Sequence, residues 1–202
     1  MELPPSSEIK GFLPDTEGWA LYQLAQQGAL HGPLLEIGSY CGRSTLWLAQ
    51  AAHDAGTVVF AIDHHRGSEE HQVGEFFHDP ELTDQSGRFD SLPTFRANLA
   101  EASVEHAVIP MICDAASLAP FWHQPLGLLF IDGGHSLDAA LADYRAWVGH
   151  IAPGGILAIH DVFPDPTLGG QAPYTIWQMA ADSGLFEPIL TEGSLRGLRR
   201  LA

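Results

Sequence analysis

Four groups of polar residues stand where apolar runs of this 202-residue chain stop, and each is suited to chemistry. They are Glu36 with the loop Gly38-Ser39-Tyr40-Cys41-Gly42, then Asp63-His64-His65, then Asp132-Gly133-Gly134-His135, then His160-Asp161. A glutamate inside the apolar run LLEIG is costly unless it is paired or meets a positive group, and a ligand ammonium would serve. The plainer alternative is a glycine turn that packs a helix onto a strand, with Glu36 capped by backbone donors. Gly38 permits a tight turn and Gly42 a close ligand approach. The segment is not the G-x-G-x-x-G of dinucleotide sites, and Arg43 stands where a Walker loop needs lysine. Asp63, about one βα unit later, could accept both hydroxyls of a ribose, although aspartate is common at strand ends. Asp132, His160 and Asp161 are donors that a divalent metal could use. His135 has an ordinary pKa of about 6.5 and is the natural base for a hydroxyl proton. Its plainer reading is a helix N-terminal residue beside a glycine turn.

Alternating strands and helices must position these groups. Strands are expected at 34–38, 57–63, 106–113, 126–132 and 154–162, with two more in FEPIL and SLRGLRRL. Helices are expected at 18–29, 44–55 and 92–103, after 132 with Ala139, Leu141, Tyr144 and Trp147, and near 174–183. The first 17 residues read as irregular. Strands that are apolar throughout and separated by helices indicate a parallel sheet covered on both faces. Ligands of such sheets bind beyond the carboxyl ends of the strands, where the four polar groups fall.

Composition narrows the partners. The chain is 46% hydrophobic and 17% charged, enough for one core, so residues 1–202 read as a single domain. Lys+Arg is 9 against 25 Asp+Glu, a formal charge of −16, which repels phosphate backbones and anionic lipid. A nucleic-acid partner is disfavoured. No stretch approaches the ~20 apolar residues of a membrane span, and no export signal is read, so a cytoplasmic location is expected. The two cysteines, Cys41 and Cys113, read as unpaired, and the single lysine, Lys10, is far in sequence from the other groups.

LLEIGSYCGRSTLWLA resembles the first motif of the catechol-type O-methyltransferases and their bacterial relatives. IDGGHS and APGGILAIHDV resemble a broad bacterial methyltransferase family. Together the resemblance spans about residues 33–162. It implies a Rossmann-like, mainly parallel seven-stranded α/β sheet with the last strand antiparallel, and S-adenosyl-L-methionine as cofactor. It implies that Glu36, Gly38, Ser39, Cys41, Gly42 and Ser44 surround the methionine part. Asp63 would take the ribose, Asp114 would lie near the adenine, and Asp132 would face the transfer site. In that family an aspartate metal ligand and a lysine base stand three residues apart, and here those positions are Asp132 and His135. The family's Asp-Asn metal ligands correspond to His160-Asp161, so Mg2+ or another divalent metal is implied on Asp132, His160 and Asp161.

Methyl transfer is an in-line displacement at a sulfonium carbon, so the protein's share is mainly positioning and removal of a proton. The expected acceptor is a small molecule, methylated at oxygen, with nitrogen open. Residues 64–91, rich in acids and carrying His64, His65, His71 and His78, are too long for an ordinary βα loop. They read as a lid with Phe76-Phe77 facing a substrate, or as a solvated loop or homodimer contact. A second insert, 163–175, borders the same site. Competing readings are a cephalosporin-hydroxylase-like metal enzyme of the same fold, a non-catalytic protein that keeps the cofactor fold, and a nicotinamide dehydrogenase, which the glycine spacing opposes.

Overall fold

The computed structural model describes residues 9–68, 74, 79–134 and 136–202. Its strands are β1 (Leu34–Ile37), β2 (Val59–Ile62), β3 (Val108–Met111), β4 (Leu126–Ile131), β5 (Ile151–Ile159), β6 (Phe186–Glu192) and β7 (Leu195–Arg200). They form one sheet in the order β3-β2-β1-β4-β5-β7-β6. The ladders among β1 to β5 are parallel, and β7 runs antiparallel to both β5 and β6. This is the seven-stranded, mainly parallel arrangement expected, with the last strand reversed.

The alternation of side chains along each strand sorts the core into two layers. Leu34, Ala61, Leu128, Phe130, Ile156 and Ala158 face α1 (Asp15–Gly28), α2 (Arg43–Ala55) and α3 (Leu92–Glu101). Leu35, Ile37, Leu129, Ile131, Leu157 and Ile159 face α4 (Ala115–Leu118), α5 (Leu137–Trp147) and α6 (Ala172–Asp182). Strands buried on both sides have no polar stripe, which is why the runs read as continuously apolar. Among the described residues no helix is long and apolar enough to cross a membrane.

Several boundaries differ from expectation, each for a local reason. α1 begins at Asp15, directly after Pro14, so the first 17 residues are not all irregular. Residues 105–107 form a 3-10 turn ahead of β3. β5 begins at Ile151, because Gly154 (φ 81°) carries the strand through APGG and the β4 ladder shifts register opposite it. It ends at Ile159, because Asp161 adopts φ 56°.

The strand order reverses between β1 and β4, and the two carboxyl ends meet there. Asp132 N donates to the Ile37 carbonyl at 2.9 Å. Gly38 (φ 91°) lies so close that a Cβ on it would stand 2.1 Å from the Asp132 carbonyl oxygen. Both the positive φ and the backbone contact exclude a side chain. Gly38→Ala is therefore expected to cost about 3 kcal/mol or more, read as a lowered denaturation midpoint in urea.

Candidate functional site

A cavity of about 790 Å³ opens at this reversal point. Open parallel sheets bind ligands at such a place, and the volume lies in the small-molecule range. Gly38, Ser39, Ser44, Asp63, Asp114, Asp132 and Asp161 line it, so the structure brings together most of the residues singled out from sequence.

The loop after β1 is held by Asp63. One Asp63 oxygen accepts from Tyr40 N–H at 2.8 Å and the other from His65 N–H at 2.7 Å. The carboxylate thus shapes the loop while facing the cavity. Asp114 caps α4 by accepting from Ser117 N–H and Oγ–H at 2.7 and 2.6 Å. Asp143, on α5, lines the same space, and burial followed by the charge of Asp114 pushes its carboxyl up to about 6. Sequence reading missed Asp143, because an acid within a helix looks like part of a solvated face.

Three of the residues expected around the methionine part are placed differently. Glu36 does not line the cavity. Side-chain alternation along β1 points it to the α2 face, where it is fully buried and accepts from Ser44 Oγ–H and Thr45 Oγ1–H, both at 2.5 Å. Its partners are therefore hydroxyls of the next helix, not backbone donors. Burial, offset by these bonds and reinforced by the Asp132 charge, raises it to about 7. Cys41 is buried against Leu82 and Phe89 and does not itself line the cavity, and burial pushes its thiol up to about 12. Gly42 (φ 94°) meets the Phe95 ring, which a Cβ would approach to 3.2 Å, so its constraint is backbone conformation and packing. Both cysteines are free. Arg43 turns backward to the carbonyls of Ile9 and Gly11 and to Asp15, pinning the N-terminal segment beside the site.

That segment brings Lys10 and Phe12 into the cavity wall. Lys10, distant in sequence, is thus at the site after all. Its ammonium donates to Asp79 at 2.6 Å and to Glu81, which raise its pKa and keep it protonated. The described part of the 64–91 insert lies over the loop. Leu82 and Phe89 pack on Cys41, Ser91 Oγ lies 2.9 Å from His65 Nδ1, and His64, Gly67, Ser68, Phe89 and Ser91 line the cavity. His71, Phe76, Phe77 and His78 lie outside the described residues. So does His135, although Gly134 and Ser136 on either side of it line the cavity. From the second insert, Phe163, Leu168, Gly169 and Gly170 complete the wall.

At the ends of β4 and β5, one ligand atom from each of Asp132, His160 and Asp161 falls within 4.8 Å of the others. His160 Nδ1 lies 3.1 Å from Asp132 Oδ1 and 3.5 Å from Asp161 Oδ1. His160 Nε2 lies 2.7 Å from Oε2 of Glu17, a residue that sequence reading missed. Burial lowers the His160 pKa, but the charge and hydrogen bond of Asp132, the Glu17 bond and the Asp161 charge together raise it to about 11. For Glu17 burial raises the pKa, but His160 and Ser194 prevail and hold it low.

A family profile described as a methyltransferase domain matches residues 35–162, more than half of the chain. The chain belongs to that methyltransferase family. Its fold is shared by solved structures of low identity. The O-methyltransferase TomG from Streptomyces achromogenes, in complex with SAM, is 19% identical, with a TM-score of 0.65 over 95% of this chain and 82% of that one. An O-methyltransferase from Bacillus cereus with bound SAH is 19% identical, with a TM-score of 0.63 and coverages of 98% and 84%. A putative O-methyltransferase from Klebsiella pneumoniae is 16% identical, with a TM-score of 0.69 and coverages of 99% and 88%. The family read from the motifs is thereby borne out. For this methyltransferase the described donor set holds one histidine and two carboxylates.

Glu36 gives a pH signature. Its ordinary pKa is 4.5 and its folded value about 7. Between these, the folded protein keeps a proton that the unfolded chain has released, so this group's contribution to stability falls as pH rises. Glu36→Gln cannot ionise. In thermal denaturation of the ligand-free protein, the variant's stability relative to wild type should rise from pH 5 to pH 7, by up to roughly 1.4 kcal/mol per pH unit.

Proposed function

We propose that this methyltransferase uses S-adenosylmethionine to methylate a small-molecule acceptor at a hydroxyl oxygen. The observation that carries the reading is the single cavity in which Asp63, at the end of β2, and Asp132 and Asp161, at the ends of β4 and β5, face one space. Solved relatives described as O-methyltransferases and holding SAM or SAH support it.

Asp63 would accept the ribose hydroxyls with the lone pairs that Tyr40 and His65 leave. Asp114 and Asp143 would accept from the adenine amino group, and Gly38, Ser39 and Ser44 would flank the methionine part. Glu36 would act from beneath, by orienting the Ser44 hydroxyl. The bound cofactor supplies an activated methyl group. The chain supplies orientation, which is the larger part of catalysis in a displacement of this kind. Phe12 and Leu168, both exposed, and Phe163 give the cavity an apolar rim for the acceptor's body. The wall's five aspartates oppose an anionic acceptor, since Lys10 and Arg43 are both committed to carboxylates.

The donor set fits a divalent ion. Bonds of about 2.1 Å place neighbouring donors roughly 3.0 to 3.4 Å apart, close to the 3.1 and 3.5 Å found around His160 Nδ1. Asp132, His160 and Asp161 would hold the ion, with His160 giving up its Nδ1 proton on binding. One imidazole among carboxylates favours a manganese-like ion over calcium. Such an ion acidifies an acceptor hydroxyl. His135, three residues after Asp132, is our choice for the base that takes its proton. The described part of the 64–91 insert supports its reading as a lid, through the residues it adds to the cavity wall.

Two measurements test this function. Calorimetry should give micromolar S-adenosylmethionine binding, about −8 kcal/mol, weakened roughly tenfold or more in Asp63→Ala, which loses charge-assisted bonds. Binding of NAD alone would overturn the reading. On a panel of hydroxylated aromatics, S-adenosylhomocysteine release should fall in chelator and return with Mn2+ or Mg2+. His135→Ala should lower it by roughly 10²–10⁴-fold. Full turnover in chelator would leave Asp132 and Asp161 without a metal role.

A further inference from the structure

Glu17 is the third residue of α1, yet it is buried to 5% exposure beneath the carboxyl ends of β4 and β5. Nothing in the chemistry above uses it. A carboxylate placed so deep must be matched bond for bond, and this one is. Oε1 accepts from Ser194 N–H at 2.9 Å, and Oε2 accepts from Ser194 Oγ–H at 3.1 Å and faces His160 Nε2 at 2.7 Å. Gly193, at φ 51°, makes room for it, since a Cβ there would stand 2.1 Å from Oε1. The turn between β6 and β7 is thus shaped around this one side chain.

The bond to Nε2 has a consequence at the other ring nitrogen. An ionised carboxylate only accepts, so Nε2 must carry a hydrogen. Nδ1 is then the nitrogen that meets Asp132 and Asp161, at 3.1 and 3.5 Å. Histidine ligands of metals commonly donate their far N–H to a carboxylate, which fixes both tautomer and ring plane.

We propose that Glu17 is the positioning residue of the divalent-ion site, holding the His160 ring so that Nδ1 is presented between Asp132 and Asp161. The inference rests on the metal reading above. Glu17 does not line the cavity, so its effect is on the ion and not on the cofactor.

Manganese titration of the ligand-free protein, followed by loss of the free-ion electron paramagnetic resonance signal, tests it. Wild type should bind one ion. Glu17→Gln, which keeps the shape and removes the charge, should weaken binding about 10- to 100-fold. S-adenosylhomocysteine affinity should stay unchanged, a separation that general loosening of the fold would not produce. Ser194→Ala keeps the carboxylate and removes one of its hydrogen bonds. It should weaken manganese binding a few-fold, and it decides the matter if Glu17→Gln does not fold. Equal manganese affinity in wild type and the folded Gln variant overturns the role of Glu17 and leaves the metal reading standing. With no folded Gln variant, unchanged affinity in Ser194→Ala overturns that role. Failure of wild type to bind manganese overturns both.

Discussion

The seating of Gly38 on the backbone of Asp132 is the contact from which the site follows. β1 feeds chain to one side of the sheet and β4 to the other, so the loops that leave them diverge and open a crevice. The crevice is narrow at its base only because one of the two turns carries no side chain. Everything attached to β1 (the Tyr40 turn, α2 and the Ser44 hydroxyl) is thereby brought against everything attached to β4. The hydrogen bond from Asp132 N to Ile37 fixes the same relation from the ladder side.

Around that base, buried charge is handled by local matching. Glu36 answers to Ser44 and Thr45, Asp63 to two backbone donors, Glu17 to Ser194 and His160. Asp63 and Glu17 also fix the pieces of backbone that donate to them. A low-dielectric site rewards this arrangement, because an unmatched acid there costs several kcal/mol. Asp161 completes the pattern from the backbone side. Its left-handed conformation ends β5 and separates the buried imidazole of His160 from a carboxylate that reaches the cavity. Aspartate tolerates that conformation better than most residues.

Much of this was legible in the sequence, for physical reasons. Apolar strand runs and helical spacing gave the parallel sheet, and acids at strand ends marked Asp63, Asp132 and Asp161 because strand ends in such sheets converge. The type of residue on an element says less about which way it points. Glu36 was expected at the ligand but faces α2, and Cys41 and Gly42 face the protein interior. Partners distant along the chain were not legible at all. Glu17 and His160 are 143 residues apart, and no local pattern announces such a pair. Lys10 was set aside for its distance in sequence, yet the Arg43 anchor brings its segment to the cavity wall. Asp143 was missed because nothing in its helix spacing tells that it lines the cavity.

The bond between Glu17 and Ser194 joins residues 177 positions apart, nearly the length of the chain. During synthesis the first helix leaves the ribosome long before its partner turn exists, and domains emerge from their N-terminal end. The strands from β1 to β5 can pair as they appear, because each finds its neighbour among residues already made. The pocket around His160 cannot close until β6 and β7 have been translated and laid along β5 in the antiparallel sense. Until β7 is in place, the Ser194 donors that hold Glu17 against His160 are missing, so this buried cluster is among the last parts of the fold to be completed.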